Sequence, residues 1–490
     1  MLNERLQKFY EEQLEELTID DIRIALKKEL ITIKELIMLY LKRIAEFDKG
    51  ENGVNAILEI NPEAIQQAEA LDMERKESGF RSSLHGIPVL IKDNLATADK
   101  MHTSAGSLAL ADSYAMKDSF LVKQLREAGA IIIGKANMTE WANFMTENMK
   151  NGYSSRGGQV LNPYGSGIDC GGSSSGSAAG IAANLAMVAI GTETSGSILS
   201  PASQNSVVGV KPTVGLLSRS GIIPISITQD TAGPITRTVK DAALLLNTLV
   251  AHDPSDPVTK TNHELTEFNF TSSLEKDTLQ GSRLGIAREG IFENISDEEK
   301  LIMEEAIQKL KDLGAEVIDS VVVKTMDAPW SMDVMLFEFK TALNSYLHEY
   351  ASTTSPKTLA DIIQFNRLEP STRLKYGQTI LEKSEQSSGT LTEPAYLHAL
   401  TFDYTNSKEK GIDLTLAENN LDAIVYPNNL GAAIPAKAGY PSITVPAGYT
   451  SEGHPVGITF TSKAYSEPML LKLAYAYEQA TLKRKAPKLE

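Results

Sequence analysis

Between Gly171 and Ser206 the chain reads GGSSSGSAAGIAANLAMVAIGTETSGSILSPASQNS, nine serines and six glycines with neither histidine nor lysine. A serine hydroxyl is a weak nucleophile at neutral pH and needs a base within hydrogen-bond reach to take its proton. No lysine occurs from Asn151 to Val210, so any base must be brought in by the fold from outside this run. Lys92 closes the apolar run IPVLIK, and Lys135 and Lys211 are its rivals. A lysine is ordinarily protonated at pH 7, yet burial disfavours the ammonium and can lower its pKa by several units. The end of a buried strand suits that role.

Other chemistries fit less well. A serine-glycine run can be a flexible linker, but AAGIAANLAMVAIG follows at once as a small-residue helix and an apolar strand, which pins the loop to the core. A loop feeding a helix also presents backbone N–H groups to an anion. GAIIIGKA (Gly129 to Ala136) resembles a phosphate-binding P-loop, but Ala136 stands where the magnesium-binding hydroxyl belongs and the interior is β-branched. Gly172 to Gly176 matches GxSxG, yet the preceding NPYGSGIDC has turn composition where a nucleophile elbow requires a strand. None of the seven histidines has hydrolase or metal spacing, and Cys170, the one cysteine, reads as structural. No metal and no organic cofactor is implied. Taken singly, Lys92 reads as a strand-end lysine and Ser197 as a cap.

The elements around these residues alternate in type. Thr18 with Asp21 and Thr32 with Glu35 have capping-box spacing, so the first fifty residues read as helices. IPVLIK, bounded by Gly86 and Pro88 on one side and by Asp93-Asn94 on the other, reads as a buried strand. DSFLVKQLREAGAIIIG gives a helix stopped near Gly129 and a strand over Ile131 to Ile133. Ser296 with Glu299 starts a helix that Gly314 ends, before a strand over Glu316 to Val323. YPSITVPAGYTSEGHPVGITFT reads as two strands joined by a turn at Glu452-Gly453, and Pro468 to Thr481 as a closing helix. Strands along the whole length with helices between them predict an α/β fold, three-layer α/β/α, with a large, mostly mixed central sheet covered on both faces. Residues 325–420 lack strand signals and read as a helix-rich cover within a single domain over 1–490.

At 490 residues, 42% hydrophobic and 22% charged, the composition is that of a soluble globular enzyme. A net charge of -16 argues against nucleic acid as a partner. No stretch approaches the roughly 18 to 20 apolar residues that span a bilayer, so no membrane role is expected. The N-terminal MLNERLQKFYEEQLEEL lacks an apolar signal region, which makes a cytoplasmic location the default, with secretion left to a signal peptide removed beforehand. A single cysteine excludes an internal disulfide. The oligomer expected is a monomer or homodimer.

The blocks GIPVLIKDN, GGSSSGSAAG, GTETSGSILSPAS and VVGVKPTVGLLSRSGIIPIS together resemble the amidase signature family. The likeness extends to GKANMTEWANF, DTAGPITRTVKDAA, YPSITVPAG and GHPVGITF, leaving Thr325 to Asn420 weakest. TEWANF and SSRGGQ are similar to blocks of bacterial peptide amidases. What the resemblance implies is amide hydrolysis by a Ser-Ser-Lys triad. Ser197 would be the nucleophile, Ser173, 24 positions earlier, the bridging serine, and Lys92 the base. Gly172 and Ser174 would support them, with the Gly172-Ser173 peptide cis. The backbone N–H groups of Thr194, Ser195 and Gly196 would form the oxyanion hole. Ser195 departs from the commoner glycine, and Leu199 from arginine; backbone donors survive a side-chain swap. Lys135 and Lys211 fall outside the block matching the family's lysine. The substrate implied is a peptide C-terminal amide or a small aryl or aliphatic amide. Alternatives are the glutaminase subunit of a tRNA-dependent amidotransferase, or a non-catalytic binding protein that keeps the fold.

Overall fold

Short apolar runs scattered along the chain assemble into one sheet of eleven strands. The computed structural model describes residues 3–50, 52–262, 264–276, 279–353 and 356–489. In chain order the strands are β1 (Ile57–Ile60), β2 (Pro88–Lys92) and β3 (Ile131–Ala136), then the short pair β4 (Tyr153–Ser154) and β5 (Gly158–Gln159). There follow β6 (Val188–Glu193), β7 (Val208–Lys211), β8 (Thr231–Thr236), β9 (Arg283–Ala287) and β10 (Glu316–Val321). The last are β11 (Ala423–Pro427), β12 (Ser442–Tyr449) and β13 (Pro455–Thr461). The sheet order is β1-β3-β2-β6-β8-β7-β12-β13-β11-β9-β10, and β4-β5 form a separate hairpin.

The sheet is mixed, with β2 parallel to both β3 and β6 and β8 antiparallel to β6. Successive side chains of a strand point to opposite faces, yet every residue of β2, β3, β6, β7, β8 and β11 is buried. Both faces are therefore covered, as in the three-layer arrangement expected. Capping boxes form at Thr18, Thr32 and Ser296, where the spacing places them. Strand β3 runs three residues beyond Ile133 and includes a buried Lys135.

The helix Ser175–Ala182, entirely buried, carries the serine run onto the sheet. Its small residues permit a close approach, because a Cβ on Gly176 would lie 2.4 Å from the backbone oxygens of both Ala56 and Asn137. Between 325 and 420 the described residues form helices, among them Asp333–Glu349, Leu359–Leu368 and Pro394–Ser407, and no strand. The apolar faces of the first two share a second buried cluster with Trp141, Phe144, Ile223 and Ile225. Substituting Gly176→Ala forces the helix off the sheet and is expected to cost about 1–3 kcal/mol. Urea unfolding would show it as a lower midpoint with an unchanged slope.

Candidate active site

Strand β2 delivers Lys92 between β3 and β6, with Ile91 opposite Ile190 on one side and Lys135 on the other. Its side chain is fully buried. Lys92 Nζ lies 2.7 Å from Ser173 Oγ, 2.9 Å from Ser174 Oγ, 2.9 Å from Thr192 Oγ1 and 3.2 Å from the Thr192 carbonyl. Every one of these partners is uncharged. Burial pushes the Lys92 pKa down to about 7, against the opposing pull of the more distant Glu193 and Asp230 carboxylates.

Hydrogen counting fixes what this amine can do. Ser174 Oγ donates to the Thr192 carbonyl at 3.0 Å, so toward Lys92 it can only accept. The Thr192 carbonyl likewise only accepts. Two N–H bonds of a neutral amine are thereby directed to Ser174 and Thr192. Its lone pair is left for a hydroxyl proton, which Ser173 Oγ at 2.7 Å and Thr192 Oγ1 at 2.9 Å can each supply, Ser173 from the shorter distance.

Lys135 and Lys211 are buried as deeply, and burial lowers each to about 8. Lys135 Nζ donates to the Leu95 carbonyl at 2.6 Å and Thr103 Oγ1 at 2.8 Å. Lys211 Nζ donates to the carbonyls of Tyr440 at 2.6 Å and Pro212 at 3.3 Å. Among the described residues neither hydrogen-bonds a serine. Of the three lysines, only Lys92 meets the serine run.

Packing holds Ser173 and Ser174 against β6. The Gly172-Ser173 peptide is cis. A Cβ on Gly172 would come within 2.6 Å of Asn151 Oδ1, and one on Gly191 within 2.8 Å of Ser174 Oγ. Ser197 lies alongside, its carbonyl accepting the Ser174 N–H at 3.2 Å. Ser197 retains 8% exposure, whereas Ser173 has none. Among the described residues no hydrogen bond joins Ser197 Oγ to Ser173 Oγ. The structure thus joins Lys92 to Ser173 through side chains and sets Ser197 beside them through the main chain.

One residue escaped the sequence analysis. Glu193, the last residue of β6, accepts the N–H groups of Gly196 at 2.7 Å, Ile198 at 2.7 Å and Leu199 at 3.0 Å, clasping the turn that carries Ser197. The signal was an acid closing an apolar strand four residues before Ser197. Its clasp bears on the three amides expected at the oxyanion position. That of Gly196, at φ 78°, is already committed to Glu193. No such bond ties up the Thr194 or Ser195 amides among the described residues. Thr194 Oγ1 donates to Asp230 at 2.6 Å, and the Ser195 side chain faces solvent. Leu199, in the position of the family's arginine, is buried.

A cavity of about 370 Å³ opens beside this cluster, lined by Asn94, Thr192 and Thr194, by the 219–227 segment and by helix Asp333–Glu349. Among the described residues Arg219 is the only lysine or arginine lining it. Its Nε and Nη2 are taken by Asp256 at 2.9 and 2.7 Å, and its Nη1 by the Ile227 carbonyl. Among the described residues no His, Cys, Asp or Glu cluster is arranged to hold a metal ion. Cys170 is buried and its thiol pushed up to about 12, which leaves it unreactive at neutral pH. No described helix is long and apolar enough to cross a membrane.

The Amidase family model matches residues 35–471. A probable amidase of Arabidopsis thaliana is 42% identical over 487 residues, which cover 97% of this chain and 92% of that protein. The native peptide amidase of Stenotrophomonas maltophilia superposes with a TM-score of 0.92 at 40% identity, over 98% of this chain and 99% of that one. One component of the glutamyl-tRNA(Gln) amidotransferase of Thermoanaerobacter pseudethanolicus is 40% identical over 309 residues, 63% of this chain and 60% of that protein. A family match over most of the sequence, together with the plant relative and the shared fold, shows that the chain belongs to the Amidase family.

Proposed function

We propose that the chain hydrolyses carboxamides through a seryl acyl-enzyme formed on Ser197, with Ser173 relaying the proton and Lys92 as base. The observation that carries this reading is the buried Lys92 amine, 2.7 Å from Ser173 and without a counter-ion in contact. As Ser197 Oγ attacks the carbonyl carbon, its proton passes to Ser173 Oγ, and the Ser173 proton passes to Lys92 Nζ. The contact between Ser197 and Ser173 closes in the substrate complex, since catalytic hydrogen bonds are often long in the empty site. Charge gathering on the substrate oxygen is taken up by the Thr194 and Ser195 amides. When the tetrahedral intermediate collapses, Lys92 returns the proton through Ser173 to the leaving nitrogen, the C–N bond breaks and ammonia or an amine departs. Water then attacks the ester, giving up its proton along the same path, and the carboxylic acid is released.

Glu193 is a positioning residue in this scheme. Spending its carboxylate on three amides fixes the turn under Ser197 and keeps a negative charge from direct contact with Lys92.

The substrate favoured is a peptide C-terminal amide, with small aryl or aliphatic amides second. The TEWANF and SSRGGQ blocks support this, as does likeness to a peptide amidase over nearly all of its length. Glutamine as ammonia donor fits less well, because the cavity offers its α-carboxylate no uncommitted cation among the described residues. Incubating the purified chain alone with peptide amides and with glutamine separates the two. Ammonia is expected from the peptide amides, and release from glutamine alone would reverse the assignment.

Four outcomes follow from the proposed roles. Because Lys92 must be uncharged to accept a proton, kcat/KM should fall about tenfold per pH unit below pH 7 and level off above it. A profile flat from pH 5 to 9 would remove Lys92 as the base. Lys92→Ala should lower kcat/KM by roughly 10²–10⁴, and Ser197→Ala should abolish labelling by a fluorophosphonate; persistent labelling would point to another nucleophile. Glu193→Gln, which loses acceptors for the turn, should lower kcat by on the order of tenfold or more with KM little changed. Steady-state kinetics on one amide checks the split.

A further inference from the structure

Ile225, Ser226, Ile227 and Asp230 line the cavity, and the segment they belong to ends against Thr194. Two consecutive residues reach that threonine. Asp230 accepts the Thr194 hydroxyl at 2.6 Å, and Gln229 Nε2 donates to the Thr194 carbonyl at 3.3 Å. Gln229 is buried, and its Oε1 has no hydrogen-bond partner among the described residues. Burying an amide group costs free energy that hydrogen bonds must offset. Yet among the described residues the Gln229 side chain makes one such bond, and it goes to Thr194. That bond also sets a direction. A trans peptide points its C=O and N–H opposite ways in one plane, and among the described residues the one cis peptide is Gly172-Ser173. Holding the Thr194 carbonyl toward Gln229 therefore turns the Ser195 N–H away from it.

The segment is anchored from behind. Ser226 Oγ donates to Glu338 at 2.5 Å and accepts the Gln229 N–H at 3.3 Å. Asp230 accepts the amides of Ile225 at 2.8 Å and Ser226 at 2.9 Å. Glu338, on helix Asp333–Glu349, is fully buried. Helix, cavity wall and Thr194 thus form one hydrogen-bonded unit.

We propose that Gln229 and Asp230 are positioning residues for the oxyanion donors, Gln229 setting the direction of the Ser195 N–H and Asp230 the place of Thr194. This rests on the seryl acyl-enzyme reading above and adds to it what holds the two amides. Glu193 does not hold them, since its three bonds fall on Gly196, Ile198 and Leu199. The turn is held from two sides, with Glu193 fixing the half that carries Ser197 and the 229–230 pair the half that carries the donors. Preorganised donors need no reorientation as charge develops, and a misplacement of about 1 Å can cost about a hundredfold in rate.

Two ligands with the same acyl portion separate this role from a merely structural one. N-acetylphenylalaninal adds to Ser197 as a hemiacetal and places its oxygen on the two amides, whereas N-acetylphenylalaninol has no carbonyl and only fills the site. Gln229→Met keeps the length of the side chain and removes its donor. It should weaken the aldehyde by about tenfold or more and leave the alcohol within about twofold, with kcat for N-acetylphenylalaninamide lowered and KM little changed. Thr194→Val keeps the amide but loses the hydroxyl that Asp230 holds; it should show the same split, and it serves should the methionine variant fail to fold. Thr194→Ser, which restores the hydroxyl, should recover the aldehyde affinity. Equal weakening of both ligands, an aldehyde affinity unchanged in Gln229→Met or Thr194→Val, or no recovery in Thr194→Ser overturns the assignment. A parent that binds the aldehyde no better than the alcohol and releases no ammonia from the amide overturns the seryl acyl-enzyme reading instead, and this inference with it.

Discussion

An amine with no counter-ion, sealed from water at the end of β2, is the constraint on which the site depends. Placing a carboxylate against Lys92 Nζ would hold its proton, whereas the base we propose must be able to lose it. The chain keeps its nearest acids employed elsewhere. Glu193 is bonded to three backbone N–H groups, and Asp230 to Thr194 Oγ1 and to the amides of Ile225 and Ser226. Their fields still act on the lysine, but at a distance, so that burial prevails and the pKa comes to rest near neutrality. The bonds that hold the turn carrying Ser197 thereby also keep the Glu193 carboxylate from direct contact with Lys92 Nζ.

The sheet and its helices supply the geometry. Parallel pairing of β2 and β6 sets Lys92 and Thr192 at the carboxyl ends of neighbouring strands, where open α/β sheets commonly bind ligands. Glycines at 172, 176 and 191 let the serine loop and its helix lie closer than any side chain would permit. Helix Asp333–Glu349 is tied to the segment that carries Asp230. Glu338 of helix Asp333–Glu349 accepts from Ser226 Oγ at 2.5 Å, Thr228 N at 3.1 Å and Tyr396 OH at 2.9 Å. Through Asp230 the segment thus fixed reaches Thr194, so the cover that shapes the cavity also steadies the turn beside Ser197.

Much of this was legible in the sequence where the signal is local. The capping boxes, the strand ending in Lys92 and the final hairpin and helix follow from side-chain spacing and turn residues. Other strands are hidden because pairing, not propensity, makes them. The sequence TAGPIT of β8 contains glycine and proline, yet it is a central strand. Pairing of β8 with β7 stops at Ile235, next to Pro234, while its pairing with β6 continues. The outer half of β3 was also unread, since a lysine in a buried strand contradicts its usual exposure until Leu95 and Thr103 are seen to receive it. Within the site, residue types and one family resemblance pointed to Lys92, Ser173 and Ser197. The clasp of Glu193 on three amides rests on partners gained in three dimensions, which no spacing encodes.

The central claim concerns the charge of one side chain, and it can be read directly. Lysine labelled with ¹³C at Cε, with the Lys92 signal assigned by its absence in Lys92→Arg, reports protonation through its chemical shift. A titration midpoint near pH 7 is the result the account predicts. A Lys92 signal that stays in its charged position up to pH 9 would contradict it, because an ammonium there has no lone pair for Ser173.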